Sequence, residues 1–356
     1  MKAIYITSTE AYAGKTSLAI GLGLHLQRDG YRVGYLKPVT AHPPHIDAGV
    51  VSEKVAFIRQ ELALAEPEQD IAPLVLTESL VEQAMGKPHD VDFKARLVAA
   101  FKRTSADKDI LLLEGGDHPL EGALLDLSSL QVVDLLDAQV VVVVRYQDSL
   151  SLDTAAGLRQ IYGDRLLGIV LNAVPRAHMR FVQETAGPML EERGLPVFAV
   201  LPEERLLASI SVRELVEQMN GEILCCGEQA DGLIEYLMVG AMTAGSALTY
   251  FRSRPNKAVI TGGDRHDVQL AALETSTRCL ILTGGQQPST VVLNRACEVG
   301  VPIVVVQPDT LTTVRAVERI FGKTFVRQPR KSAHFATLLE ERFDFRRLYG
   351  LLDLEP

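Results

Sequence analysis

The stretch Ser8-Thr9-Glu10-Ala11-Tyr12-Ala13-Gly14-Lys15-Thr16-Ser17 follows the apolar run Ala3-Ile4-Tyr5-Ile6 and opens an amphipathic segment reaching Leu26. A strand, a turn of small residues carrying Gly-Lys-Thr, and then a helix is an arrangement that holds a nucleoside triphosphate. Backbone N–H groups of such a turn converge on the phosphates, and the helix N-terminus adds partial positive charge. Lys15 is expected to reach the β- and γ-phosphates, and the Thr16 hydroxyl to bind Mg²⁺. Gly14 lets the backbone approach the phosphate without a β-carbon in the way. Ala13, Gly14, Lys15, Thr16 and Ser17 are therefore the expected nucleotide-binding stretch. The usual first glycine of this loop is missing, since Thr9 or Ser8 stands at its place.

Short β-branched runs alternate with helical periodicity over the first two hundred residues. Strands are predicted at 3–7, 32–36, 110–114, 139–145, 167–172 and 197–201, and helices at 15–29, 50–62, 92–103, 151–162 and 182–193. Strands this continuously apolar are covered on both faces. The pattern predicts an α/β fold, a doubly wound and mostly parallel sheet, whose ligands sit at the carboxyl ends of the strands. With 356 residues two domains are expected. The first is assigned to 1–215, a smaller α/β domain to 216–330 and a terminal helical segment to 331–356. Strands of the second domain are predicted at 222–225, 258–261, 279–283 and 303–307. Its helices are predicted at 231–238, 266–273, 288–299 and 311–321.

Several strand ends carry chemistry. Gly34-Tyr35-Leu36-Lys37-Pro38 ends the second strand with a lysine, which would face the same cleft as Lys15 and stabilise charge there. Leu111-Leu112-Leu113-Glu114-Gly115-Gly116 ends a buried strand with a carboxylate able to hold Mg²⁺ opposite Thr16. Asp47 and Glu53 are both candidates for the second carboxylate of that site, and both suit a helix N-terminus equally well. Asn172 ends a later strand with an amide that can pair with the edge of adenine or cap the exit turn. His42, His45 and His118 have no third ligand at tight spacing and are read as polar lining. In the second half, Gly262-Gly263-Asp264-Arg265 and Gly284-Gly285 both follow strands. Gly263, Asp264, Arg265, Gly284 and Gly285 form a candidate second ligand site, with two glycine-requiring turns as the alternative.

A net charge of −9, from 36 Lys and Arg against 45 Asp and Glu, without a basic stripe, argues against nucleic acid as a partner. No wholly apolar run is longer than that of Val140–Val144, far below the roughly 20 residues that span a bilayer. Met1-Lys2 leads straight into a strand, so no membrane partner and a cytoplasmic protein are expected. Cys225, Cys226, Cys279 and Cys297 show neither metal-ligand spacing nor a disulfide framework, and adjacent Cys225-Cys226 reads as alternation between core and surface.

Glu10-x-x-x-Gly14-Lys15-Thr16, Tyr35-Leu36-Lys37-Pro38-Val39, Glu114-Gly115-Gly116 and Asn172 together resemble the dethiobiotin synthetase family over roughly residues 1–215. That family has a P-loop fold, is usually dimeric, and uses ATP and Mg²⁺ to carboxylate a diamine and close it into a cyclic urea. The resemblance implies ATP and Mg²⁺ as cofactors and a homo-oligomer, a dimer or higher. It puts the family's two catalytic lysines on Lys15 and Lys37, its Mg²⁺ ligands on Thr16, Glu114 and, with Glu for Asp, on Glu53, and its base-recognising asparagine on Asn172. Ile260-Thr261-Gly262-Gly263-Asp264-Arg265-His266-Asp267 with Leu282-Thr283-Gly284-Gly285 is similar to the DRTGG domain, a small α/β module of regulatory settings. The pairing resembles the N-terminal portion of long bacterial phosphate acetyltransferases. A stand-alone counterpart of that portion is expected, an ATP-binding sensor or regulator acting on a partner enzyme. The alternative is an ATP-dependent ligase, carboxylase or kinase acting on an unknown small carboxylate or amine.

Overall fold

Six apolar runs of the N-terminal region pair as one parallel sheet: β1 (Lys2–Ser8), β2 (Val33–Leu36), β3 (Ile110–Glu114), β4 (Gln139–Arg145), β5 (Leu166–Val174) and β6 (Val197–Pro202), in the order β2-β3-β1-β4-β5-β6. Residues such as Ile4, Ile6, Leu111, Leu113, Val141 and Val143 are almost wholly buried. Helices cover both faces, as a sheet of continuous Val, Ile and Leu requires. The computed structural model describes residues 1–41, 48–86, 92–321 and 328–355.

Register brings the chemistry to one edge. Leu36 is level with Leu113, and Ile6 with Glu114. Lys37, Glu114 and Ser8 therefore emerge side by side at the carboxyl ends of β2, β3 and β1. The strand order reverses across β1, where ligand crevices of open parallel sheets form.

Contacts divide the chain into two units, Met1–Glu203 with Phe325–Pro356, and Glu204–Thr324. The sequence reading instead cuts after 215 and sets 331–356 apart. Local interactions account for the difference. Ile210–Ser211 pairs with Leu233–Ile234, which ties the chain ahead of residue 215 to the second unit. The C-terminal helices return to the first unit. Gly21 of α1 (Lys15–Arg28) leaves room for Leu339 of Pro329–Arg342. Phe343 stacks on Phe198 at 5.2 Å, and Arg347 grips Glu191 through two hydrogen bonds of 2.6 and 2.8 Å.

The main sheet of the second unit has five strands: β7 (Glu222–Cys225), β8 (Tyr236–Val239), β9 (Lys257–Gly262), β10 (Thr277–Thr283) and β11 (Ile303–Val305), ordered β7-β11-β10-β9-β8 with only β7 antiparallel. The helix expected over 231–238 does not form. Leu233–Ile234 and β8 occupy that stretch as strands, and β8 runs parallel to β9 at the sheet edge. A short apolar run fits strand and helix alike, and pairing with β9 decides it. A helix at Ala244–Arg252 follows, which the periodicity does not reveal. Among the described residues, no helix is long and apolar enough to cross a membrane.

Candidate functional site

The turn after β1 is built around Gly14, the residue preceding α1, at φ 107°. This left-handed conformation is costly for any residue with a β-carbon. A β-carbon on Gly14 would lie 2.5 Å from the Asn172 amide nitrogen. That nitrogen donates to the Ala13 carbonyl at 2.7 Å, and the Asn172 side-chain oxygen accepts from the Ala173 N–H at 2.9 Å. Asn172 thus braces the loop from the end of β5. A second brace comes from the end of β4, where Gln147 donates to the Glu10 carboxylate at 2.8 and 3.0 Å.

Lys15 and Ser8 explain how the loop works without its first glycine. The Lys15 ammonium donates to the Ser8 hydroxyl at 3.0 Å, and that hydroxyl donates to the Glu10 carbonyl at 2.6 Å. The β-carbon at position 8 carries a group that orients the lysine. Lys15 also pairs with Asp117 at 3.1 Å.

Glu114 is the centre of the cleft. It is 1% exposed, and its Oε1 accepts from Thr16 at 2.9 Å and Lys37 at 2.8 Å. Its Oε2 accepts from the Tyr35 hydroxyl at 2.9 Å. Burial alone would raise this carboxyl, but the Lys37 and Lys15 charges and the Tyr35 bond outweigh it and hold the pKa below the ordinary value. Burial likewise works to lower Lys37, and Glu114 overcomes it and keeps the ammonium charged. Asp117, against the same burial penalty, is held low by Lys15, Lys37 and Lys54. Two cations and two carboxylates therefore share the cleft.

The sequence-derived residues do not all come together. Lys15, Thr16, Lys37 and Glu114 meet, with Ala13 and Gly14 beneath them and Ser17 buried in the first turn of α1. Asn172 is close by, on the loop backbone. Glu53 is exposed on α2 (Ala48–Glu61), and the charge of its neighbour Lys54 acts on Asp117. Asp47, His42 and His45 lie outside the described residues. His118 accepts from the Leu120 N–H at 3.1 Å. Ser8, Tyr35 and Asp117 are the members the sequence reading did not assign. A hydroxyl and a carboxylate at hydrogen-bond distance are hard oxygen donors, and this pair fits Mg²⁺.

At the second unit's strand ends, Gly284 and Gly285 have φ of 79° and 65°. Gly263 approaches Gln286 so closely that a β-carbon would sit 2.5 Å from the Gln286 β-carbon. The two turns therefore touch. The Arg265 guanidinium donates to the Met242 carbonyl at 2.7 Å, while Asp264 is exposed. Beneath them, wholly buried Gln269 donates to the carbonyls of Gly262 and Gly263 at 2.9 and 3.0 Å.

A family model described as an AAA domain matches residues 2–211, more than half of the chain. The chain belongs to the AAA-domain family. In this member the matched region carries the strand-loop-helix just described, and a DRTGG domain is matched over residues 214–320. The AAA-domain chain is 26% identical over 76% of its length to a phosphate acetyltransferase of Nitrosomonas europaea, covering 39% of that protein. It is 20% identical over 98% of its length to the phosphate acetyltransferase of a Synechocystis strain, covering 51% of that protein. The chain thus spans about half or less of the length of these relatives. An ATP-dependent dethiobiotin synthetase of Methanococcus vannielii is 26% identical over 48% of the chain and is itself covered to 79%. The first domain is therefore a dethiobiotin-synthetase-like P-loop domain, followed in this chain by a DRTGG domain.

Proposed function

We propose that the AAA domain binds Mg-ATP at the carboxyl ends of β1, β2 and β3, and that the chain is a nucleotide-responsive regulatory module. The observation that carries this reading is the convergence of Thr16 and Lys37 on one oxygen of buried Glu114, at 2.9 and 2.8 Å. Thr16 and Glu114 would hold Mg²⁺, which when bound neutralises and orients the phosphates. Lys15 exchanges Asp117 for the β- and γ-phosphates, and Lys37 faces the terminal phosphate from the other side. Asn172 keeps one free position on each end of its amide for an adenine edge while it braces the loop.

Support for regulation over turnover comes from how the likeness is distributed. The phosphate acetyltransferase likeness runs through both domains, covering 98% of the chain in one relative, whereas the dethiobiotin synthetase likeness covers 48%. The touching turns of β9 and β10 are the proposed site of a second, anionic ligand. Replacing Asp264 and Arg265 with alanine should leave ATP binding alone and change that ligand's effect. A homo-oligomer and a partner enzyme complete the reading.

Calorimetric titration with ATP and ADP, with and without Mg²⁺, tests it. Mg²⁺-dependent binding in wild type that is lost in Lys15→Ala supports the site, and equal binding by the variant removes it. Stoichiometric ADP release with a small carboxylate, or with a diamine and CO₂, would replace regulation by ligase or kinase activity.

A further inference from the structure

Cys225, Cys226 and Cys297 bring their sulfur atoms within 4.8 Å of one another, although Cys297 is far from the other two in sequence. Adjacent residues of a regular strand point to opposite faces, so Cys225 and Cys226 would ordinarily be separated. Here the pairing of β7 with β11 shifts register between Ile223 and Cys225. Cys226 then turns the chain at φ 55°, a left-handed conformation unfavourable for a residue with a side chain. The irregular strand and the turn bring both thiols to the end of the helix Thr290–Val299, whose last turn carries Cys297. Cys226 Sγ lies 3.8 Å from the Ala296 carbonyl, and Cys225 Sγ 3.7 Å from that of Val301. Cys225 and Cys226 are half-buried, and Cys297 is exposed. Cys279, the fourth cysteine, is buried in the core and is not one of the three whose sulfurs converge.

We propose that these three thiols form a binding site for a soft d¹⁰ metal ion, Zn²⁺ or Cu⁺. Metal–sulfur bonds of about 2.3 Å place coordinating sulfurs roughly 3.7 to 4.0 Å apart, a spacing within reach of this cluster. Three sulfur ligands select thiophilic ions and reject Mg²⁺, Ca²⁺ and Mn²⁺. Among the described residues, no imidazole or carboxylate joins the three thiols in that cluster. As each sulfur–metal bond forms, the thiol proton passes to solvent, and no electron is transferred. The exposed Cys297 provides the entry path and leaves one coordination position open. Zn²⁺ takes water there, and Cu⁺ stops at three sulfurs.

The test uses the full chain, reduced and stripped of metal. Zn²⁺ is titrated in competition with a chromophoric chelator, and Cu⁺ in competition with bicinchoninate. One equivalent per chain is expected in at least one arm, and the arm that binds identifies the ion. Cys297→Ser, on an exposed helical position, should keep its circular dichroism and melting temperature while its affinity falls by on the order of 100-fold or more. Co²⁺ in place of Zn²⁺ should give a thiolate charge-transfer band that weakens in the variant. The proposal is overturned if neither ion binds, or if a variant with all three cysteines changed to serine binds as wild type does. It is also overturned if the reduced protein takes up no metal while air oxidation removes two titratable thiols per chain, which would make the cluster a redox pair.

Discussion

Lys37 and Glu114 form an ion pair of 2.8 Å at the adjoining ends of two parallel strands, with the carboxylate wholly enclosed and the lysine side chain 17% exposed. Parallel pairing sets this contact, because Leu36 lies level with Leu113. Desolvation makes the pair of modest net worth while both partners are present, but removing one leaves a buried charge uncompensated.

Glu114→Gln should therefore cost the first unit about 3 kcal/mol and abolish the Mg²⁺ dependence of nucleotide binding. The pH dependence gives a sharper check. The folded carboxyl titrates below its ordinary value of 4.5, so the unfolded chain binds more protons in that range. Its contribution is complete above 4.5 and is lost as the pH falls through the folded value. Urea unfolding of wild type and variant from pH 7 to pH 3 should show the stability gap narrowing on the acid side. A gap that stays constant would mean that Glu114 is not the titrating group.

Asp117 is the counter-ion that Lys15 must leave to reach a phosphate, and its side chain is 50% exposed. Such a pair is worth about 1 kcal/mol or less. Asp117→Asn should thus leave folding stability within ~0.5 kcal/mol and tighten ATP binding by up to about fivefold. The gain should shrink in high salt. Weaker binding that no longer depends on Mg²⁺ would instead assign Asp117 to the metal.

Gly14→Ala meets two penalties, a left-handed backbone and the Asn172 amide at 2.5 Å. The backbone penalty alone is roughly 1–2 kcal/mol. Folding stability should fall in the single variant, and in the Asn172→Ala background the same substitution should cost only the conformational part. A double-mutant cycle with strictly additive effects would show that the two residues do not oppose each other.

The strand ends were the legible part of this molecule. Lys15, Thr16, Lys37 and Glu114 each follow an apolar run whose type is clear from sequence, and parallel pairing leaves them little choice but to meet. Their partners were less accessible. Ser8 and Asp117 reach Lys15 only through the register of β1 and β3 and the fold of the turn after Glu114. The segment 231–238 reads as helix because a short apolar run has no decisive period, and only pairing with Ile210–Ser211 and with β9 makes its residues strands. Cys225 and Cys226 share a face through a register shift that no alternation pattern encodes. Return of the C-terminal helices to α1 depends on the space left by Gly21 for Leu339, a complementarity visible only in three dimensions.

Lys257, the first residue of β9, is wholly buried, and its ammonium has no hydrogen-bond partner among the described residues. Burial pulls its pKa down from 10.5 to about 8. Between these values the folded state holds fewer protons than the unfolded chain, so stability should rise with pH across that window and level off above it. Below pH 8 the amine is charged in both states and its full desolvation penalty opposes folding. Lys257→Met keeps the length of the side chain and removes the charge. It should stabilise the second unit at pH 7 by about 1 kcal/mol or more, raising the melting temperature by about 4 °C. Thermal unfolding at pH 7 and pH 10 should show the advantage of methionine shrinking in alkali, because the lysine is then neutral in the folded protein. A methionine variant less stable than wild type at pH 7 would mean that the amine has a compensating partner, and a gap unchanged at pH 10 would mean that its charge is not what opposes folding.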